Sequence, residues 1–315
     1  MEKIKIGISS CLLGNKVRFD GQHKHDRFIT GTLGEYCEFI PICPEVECGL
    51  PVPREAMRLI GTVEKQRLVT NKTGIDHSDR MLNWASVRLE KLEKEEPVAF
   101  IFKSKSPSSG LRAVKIYKED GNVVSHSGRG LFAQVFVERF PDIPVEDEGR
   151  LNDAVIRENF IETIFTMQRW REVVRDGSPK ALVDFHTRHK YALMAHSPEK
   201  MRLLGKLVSD AGGSERFGKQ DMYREILGQT LAVRKTRKKT FNVLLHIVGY
   251  FKKNLSPDEK KELIAASERY HEETAPLIVP LTLINHYVMK YSRTYLEKQT
   301  FLNPHPIEMG LLNHV

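Results

Sequence analysis

The rhythm of apolar positions changes halfway along the chain. Up to about residue 140, short apolar runs alternate with amphipathic ones. Residues 3–9, 39–42 and 98–102 read as buried strands, and 114–117 with 122–125 as a hairpin around Glu119-Asp120-Gly121. Between them, residues 32–38, 76–95 and 130–140 carry helical spacing. This alternation predicts an α/β domain with a mainly parallel, Rossmann-like sheet over residues 1–145. Residues 141–149 are acidic and proline-marked and read as a linker. From 150 to 315 the pattern is helical, with amphipathic runs at 151–175, 178–195, 198–211, 217–233, 236–254, 257–272 and 280–295. Ser178-Pro179, Ser197-Pro198 and Ser256-Pro257 each place a capping serine ahead of a proline at the first helical position. An all-α second domain is expected.

In a parallel α/β sheet, ligands bind beyond the carboxyl ends of the strands. Here each predicted parallel strand runs into a reactive stretch: Ser9-Ser10-Cys11, Cys43-Pro44-Glu45, and Lys103-Ser104-Lys105-Ser106-Pro107-Ser108-Ser109-Gly110. Two thiols, a carboxylate and a serine cluster should converge. The four cysteines (Cys11, Cys37, Cys43, Cys48) are too few for a disulfide framework, and clustered thiols suit soft metals or nucleophilic chemistry. Cys37, at the end of the predicted helix 32–38, reads as core. No CxxC pair is present, which argues against a zinc ribbon or a redox dithiol. The residues alone define a soft-metal or nucleophilic cysteine site in an α/β crevice.

Several separated motifs carry a resemblance. Ser10-Cys11-Leu12-Leu13-Gly14, Val17-Arg18-Phe19-Asp20-Gly21, Cys43-Pro44-Glu45-Val46, Gly49-Leu50-Pro51, Pro53-Arg54 and Lys103-Ser104-Lys105-Ser106-Pro107-Ser108 with Gly110 resemble the thiouracil desulfidase family. The whole chain is similar to its two-domain members that act on 4-thiouridine in tRNA. The resemblance implies a 4Fe–4S cluster on three cysteines and conversion of the thiolated base to uridine without net redox change. Carried over, Cys11 and Cys43 are cluster ligands, Glu45 is the acid/base residue and Ser106 a polar group beside the substrate. The third ligand falls on Ser109. A serine hydroxyl stays protonated near neutral pH and binds iron poorly, so an intact cluster and full activity are not expected. Either a deliberate replacement has disarmed the site, or a natural chain recruits another thiol, with Cys48 nearest in sequence. Beside the same crevice, Arg18, Asp20 and Arg54 can contact a nucleotide or pair with one another, and Lys103 and Lys105 can attract phosphate.

Charge enlarges this picture. The chain carries a net +8. There are 23 Lys/Arg against 22 Asp/Glu through residue 150, and 26 against 19 after it. The positive excess lies in the second half, which suits a polyanionic partner such as tRNA. Arg188, His189, Lys190, Arg234, Lys235, Arg237, Lys238 and Lys239 form the candidate RNA-binding set. His196 and His246 sit in apolar helical runs and read as core histidines. No apolar run approaches the ~20 residues of a membrane span, and the cytosol is the expected compartment. Two other readings stay open: a tRNA-binding or sensing protein without turnover, and a desulfidase of free thiolated bases.

Overall fold

The structure is a computed structural model that describes residues 3–209 and 216–314. It divides into two compact units, Met1–Arg157 and Glu158–Val315.

In the first unit, β1 (Ile4–Ser9), β2 (Cys37–Ile42), β5 (Ala99–Phe102) and β8 (Val145–Asp147) form one wholly parallel sheet in the order β2-β1-β5-β8. A second sheet contains β3 (Met57–Gly61), β4 (Gln66–Thr70), β6 (Val114–Tyr117) and β7 (Val123–Gly128), in the order β4-β3-β6-β7. It is mixed: β3 runs parallel to β6, while β3/β4 and β6/β7 are antiparallel. Among the described residues, three α-helices belong to this unit alone: α1 (Pro44–Glu47), α2 (Ser78–Glu95) and α3 (Leu131–Arg139). Helices α2 and α3 seal a core of Phe100, Phe102, Phe132 and Phe136, whose rings meet at 4.2–6.3 Å between centroids. Burial of these large aromatic faces is a main source of the unit's stability.

Three sequence expectations are corrected here. Residues 28–33 form a π-helical turn, and Cys37 lies in β2 rather than at a helix end, still buried. The hairpin β3/β4 escaped the pattern because Arg58 and Arg67 interrupt its short apolar runs. The acidic segment read as a linker supplies β8, where Glu146 is buried and paired with Arg112 at 2.5 Å and Arg150 at 2.9 Å. Pairing makes a charged strand tolerable in a sheet, and the boundary moves to residue 157.

The second unit is helical. The chain enters it within α4 (Ala154–Asp176) and continues through α5 (Pro179–His196), α6 (Pro198–Ser209), α7 (Arg216–Leu231), α8 (Arg237–Val248), α9 (Pro257–His271), α10 (Ile278–Lys290) and the short α11 (Thr294–Glu297). The end of the predicted helix 198–211 lies outside the described residues. Ser178 and Ser256 cap α5 and α9 as their sequences predict, and Ser256 with Glu259 closes a reciprocal capping box. Among the described residues, no helix is long and apolar enough to cross a membrane.

Candidate functional site

The register of the parallel sheet fixes the site. Ser9 pairs with Ile42 across β1/β2, and Ile8 with Ile101 across β1/β5, so the three strands end at one edge. The segments beyond them enclose a cavity of ≈ 330 Å³, lined by Cys11, Cys43, Glu45, Ser106, Ser108 and Ser109 among others. All five residues expected from sequence to be ligands or catalytic groups therefore meet in one place.

Local sequence explains each position. Cys43 precedes α1, and Pro44 occupies its first turn, so the chain bends at the strand end and brings Glu45 to the cavity. The serine loop is held by α3: Pro107 and Ser108 offer their carbonyls to the amides of Leu131 and Phe132, at 3.3 and 2.9 Å. These amides begin a helix and lack intrahelical partners. Gly130 permits the approach, since a β-carbon there would lie 2.5 Å from the Ser108 backbone.

A connected polar network crosses the cavity wall. The Glu45 carboxylate accepts from Arg54 Nε at 2.8 Å, from Arg54 Nη2 at short range, and from Ser108 Oγ at 2.7 Å. Ser106 Oγ lies 3.0 Å from Ser108 Oγ. Arg54 also donates to the carbonyls of Val17 and Pro51, which locks the guanidinium in place. Ser108 belongs to the serine motif of the sequence but carried no expected role there. Its position two residues after Ser106, in the loop beyond the end of β5, was the available signal.

The other loop residues divide clearly. Arg18 lines the cavity and pairs with Asp20 at 3.4 Å, while Asp20 lies outside the lining. Lys103 is committed to Glu148 and to Ser104. Lys105 lines the cavity and is exposed. Lys24 also lines it, a residue the sequence did not single out. Burial pushes the Cys11 thiol up to about 11, against the opposing pull of Lys103 and Arg18, and burial likewise raises Cys43. Both are thiols near neutral pH and must lose protons to bind a metal.

The candidate RNA set in the helical unit separates into free and committed side chains. Arg234, Lys190 and Lys238 are exposed. Arg188 pairs with Asp184 at 2.5 Å, Lys235 with the buried Glu162, and Arg237 with Glu273 at 3.4 Å. Lys239 donates to the carbonyl of His196 at 2.8 Å. His189 is only 1% exposed, stacks on Phe185 and holds the Phe185 carbonyl at 2.7 Å, so its ring is a core group and not available to RNA. His196 is buried as expected, but His246 is exposed. In α8 the buried stripe runs through Val243, Leu244, Ile247 and Val248, which leaves His246 on the solvent side of an apolar run.

Residues 6–148 match the 2-thiouracil desulfurase family. Residues 190–306 match a family described as Protein of unknown function (DUF1722). A solved structure of the 4Fe–4S-dependent thiouracil desulfidase TudS is 31% identical, covering 48% of this chain and 95% of its own, with a TM-score of 0.38. An uncharacterized Escherichia coli (strain K12) protein, YbgA, is 29% identical over 150 residues, 47% of this chain and 89% of that relative. Through its first unit, the chain belongs to the thiouracil desulfidase family.

The donor set here does not fit an intact 4Fe–4S cluster. Such clusters are held by thiolates, and the cavity offers two thiols and the hydroxyl of Ser109, which is 4% exposed. Among the described residues, no group of three or more His, Cys, Asp or Glu side chains is arranged to hold a metal ion. Cys48 is not part of the lining. Its thiol donates to the Glu45 carbonyl at 3.2 Å and packs against the cluster of Leu59, Leu68 and Met81. The structure therefore gives no support to Cys48 as a replacement ligand.

Proposed function

We propose that the first unit carries a desulfuration site for thiolated uracil bases, with 4-thiouridine in tRNA as its substrate and Ser109 as an impaired third anchor. The observation that carries this reading is the convergence of Cys11, Cys43, Glu45, Ser106 and Ser109 on one cavity, in a chain of this family. The similar protein TudS is a 4Fe–4S-dependent thiouracil desulfidase. A cavity of ≈ 330 Å³ is on the scale of pockets that enclose one small ligand. The net charge of +8 favours a polyanion over a free base.

The reaction exchanges a thiocarbonyl sulfur for oxygen from water and releases hydrogen sulfide. Glu45 serves as the base that takes one proton from the attacking water and passes it to the sulfur. As the carbonyl forms and the carbon–sulfur bond breaks, the same carboxylate carries the second proton from the new hydroxyl to the departing sulfur. Arg54 and Ser108 fix its two oxygens, so one orientation persists through both transfers. Ser106 presents a hydroxyl to the polar edge of the base. Acid–base help of this kind contributes about 10²–10⁴-fold.

The test uses the full chain and its Ser109→Cys variant, both reconstituted anaerobically with iron and sulfide. The serine form should retain little iron and leave 4-thiouridine in tRNA unconverted, and the cysteine form should gain a cluster and produce uridine. Nucleoside analysis of thiolated tRNA reads the outcome. Unchanged 4-thiouridine in the cysteine form would sink the proposal. Conversion of free thiouracil with tRNA left untouched would reassign the substrate to free bases.

A further inference from the structure

A second cavity of ≈ 550 Å³ opens on the mixed sheet of the first unit. Arg58, Asn71, Lys105, Lys115, Tyr117 and His126 supply its polar and aromatic lining. No carboxylate lines it, although the unit as a whole is nearly neutral. Among the described residues, Arg58, Lys105 and Lys115 have no ion-pair partner. The Arg58 guanidinium rests on the Tyr117 ring at 5.6 Å, and its Nε is buried without a hydrogen-bond partner. In the helical unit, Arg188, Lys235 and Arg237 are each paired with a carboxylate, while Lys190, Arg234 and Lys238 are exposed and line no part of this cavity.

Two residues, Lys105 and Pro107, line both this cavity and the cysteine cavity. A ligand seated in one is thus flanked by the other. A free base has no use for a neighbouring pocket of this size and sign. A polynucleotide does, because each base brings adjoining phosphates, and lysine, arginine and an aromatic face are the groups that track a single strand.

We infer that this basic cavity holds the phosphodiester strand next to the nucleotide whose base enters the cysteine cavity. The inference rests on the desulfidase reading for what occupies the first cavity, but binding can be measured without turnover. Lys105 forms the step between the two subsites. Lys115, His126 and Arg58 face the flanking nucleotides, with the Arg58–Tyr117 pair as a rigid platform. The substrate region is then a single-stranded loop of RNA and not a free base or a continuous duplex.

Fluorescence anisotropy with a labelled RNA stem-loop carrying 4-thiouridine in its loop tests this on the full chain. Lys115→Glu/His126→Glu changes two exposed side chains of the cavity, and Lys118→Glu is a surface control outside it. The double variant should bind at least about 10-fold more weakly. Its log K against log salt should also be shallower, at about 0.7 per lost phosphate contact on a single strand. The control should stay within about twofold. Equal losses in the double variant and the control would overturn the inference, as would polyglutamate competing as well as unlabelled RNA. Cavity-dependent RNA binding without desulfuration, even after Ser109→Cys, would uphold this subsite while removing the activity proposed for the first.

Discussion

Each unit of this protein contains a carboxylate fastened to a cation, and the two pairs have opposite surroundings. Glu45 and Arg54 stand in the wall of a cavity, where Ser108 supplies a further hydrogen bond to the carboxylate. Glu162 and Lys235 lie among packed helices, where the second carboxylate oxygen has no hydrogen-bond partner and the His196 ring stands 3.8 Å away. Burial disfavours the Glu162 charge, yet Lys235 and His196 outweigh it and hold the carboxyl well below its usual range. The same pairing therefore does two jobs. Beside the cavity it presents a carboxylate in a fixed orientation, and in the core it keeps one ionised where little else can stabilise it. A salt bridge identified from sequence says nothing about which job it has.

The largest effect should come from breaking the enclosed pair. Lys235→Met leaves the Glu162 carboxylate buried and unpaired, and should cost about 3–5 kcal/mol of stability. Chemical denaturation followed by circular dichroism measures it. A loss below about 1 kcal/mol would show that the helical unit can hydrate Glu162, and the contrast between the pairs would collapse. Glu45→Gln should divide the two roles the other way. In the Ser109→Cys background, desulfuration should fall by about 10²–10⁴-fold, while stability changes by about 1–3 kcal/mol because Arg54 keeps its two carbonyl acceptors. Full activity in that variant would remove Glu45 from the chemistry.

Acid should separate the units further. Burial lowers His189 to about 3, and burial also lowers His305. An unfolded histidine takes a proton near pH 6.5, so below that pH the unfolded chain binds protons the folded core refuses. The stability His189 contributes is complete above about pH 6.5 and is lost as pH falls toward 3, about 2 kcal/mol of it by pH 5. Glu162 runs on a lower window. Its folded value is depressed, so its contribution persists until pH drops below the unfolded carboxylate range of about 4.3. The loss between pH 6.5 and 5 is thus a histidine effect. Denaturation curves at pH 7 and 5 should show it, and His189→Phe should flatten the slope. An unchanged slope in that variant would assign the acid sensitivity elsewhere.

What sequence patterning could reach follows the same divide. Strand ends and short motifs brought Cys11, Cys43, Glu45, Ser106 and Ser109 to one edge, because a parallel sheet allows little freedom in where its strand ends go. The partner of each charge was not readable. Arg54 was expected either at a phosphate or in a loop pair, and its bond to Glu45 depends on how residues 50–54 fold back past α1. Lys235 was expected in the RNA-binding set, and α4 instead places the buried Glu162 against it. Net charge is just as coarse a guide. It pointed to the helical unit, while the basic cavity around Arg58 and Lys115 sits in a unit whose total charge nearly cancels. Charge that matters for binding is local and unpaired, and pairing is a tertiary fact.

The smallest expected effect is the most discriminating for the cavity wall. Ser108→Ala removes the hydroxyl that donates to Glu45 and leaves the Arg54 clamp untouched. If Arg54 alone positions the carboxylate, the variant in the Ser109→Cys background should keep its full rate. If Ser108 fixes the second oxygen, kcat should fall by about 10-fold, the scale of one hydrogen bond to a charged group. KM should barely move, because Ser108 reaches the carboxylate and not the substrate. Ser108→Thr keeps the donor and should restore the rate, provided the added methyl fits beside Gly130. Ser106→Ala gives the matching contrast. Its hydroxyl accepts from the amides of Ser108 and Ser109 at 3.3 and 3.2 Å, so removing it loosens the loop that carries position 109 as well as the group beside the base. A fall in iron retention in the Ser106→Ala variant, with iron retained in Ser108→Ala, would assign the first serine to building the site and the second to aiming Glu45 within it.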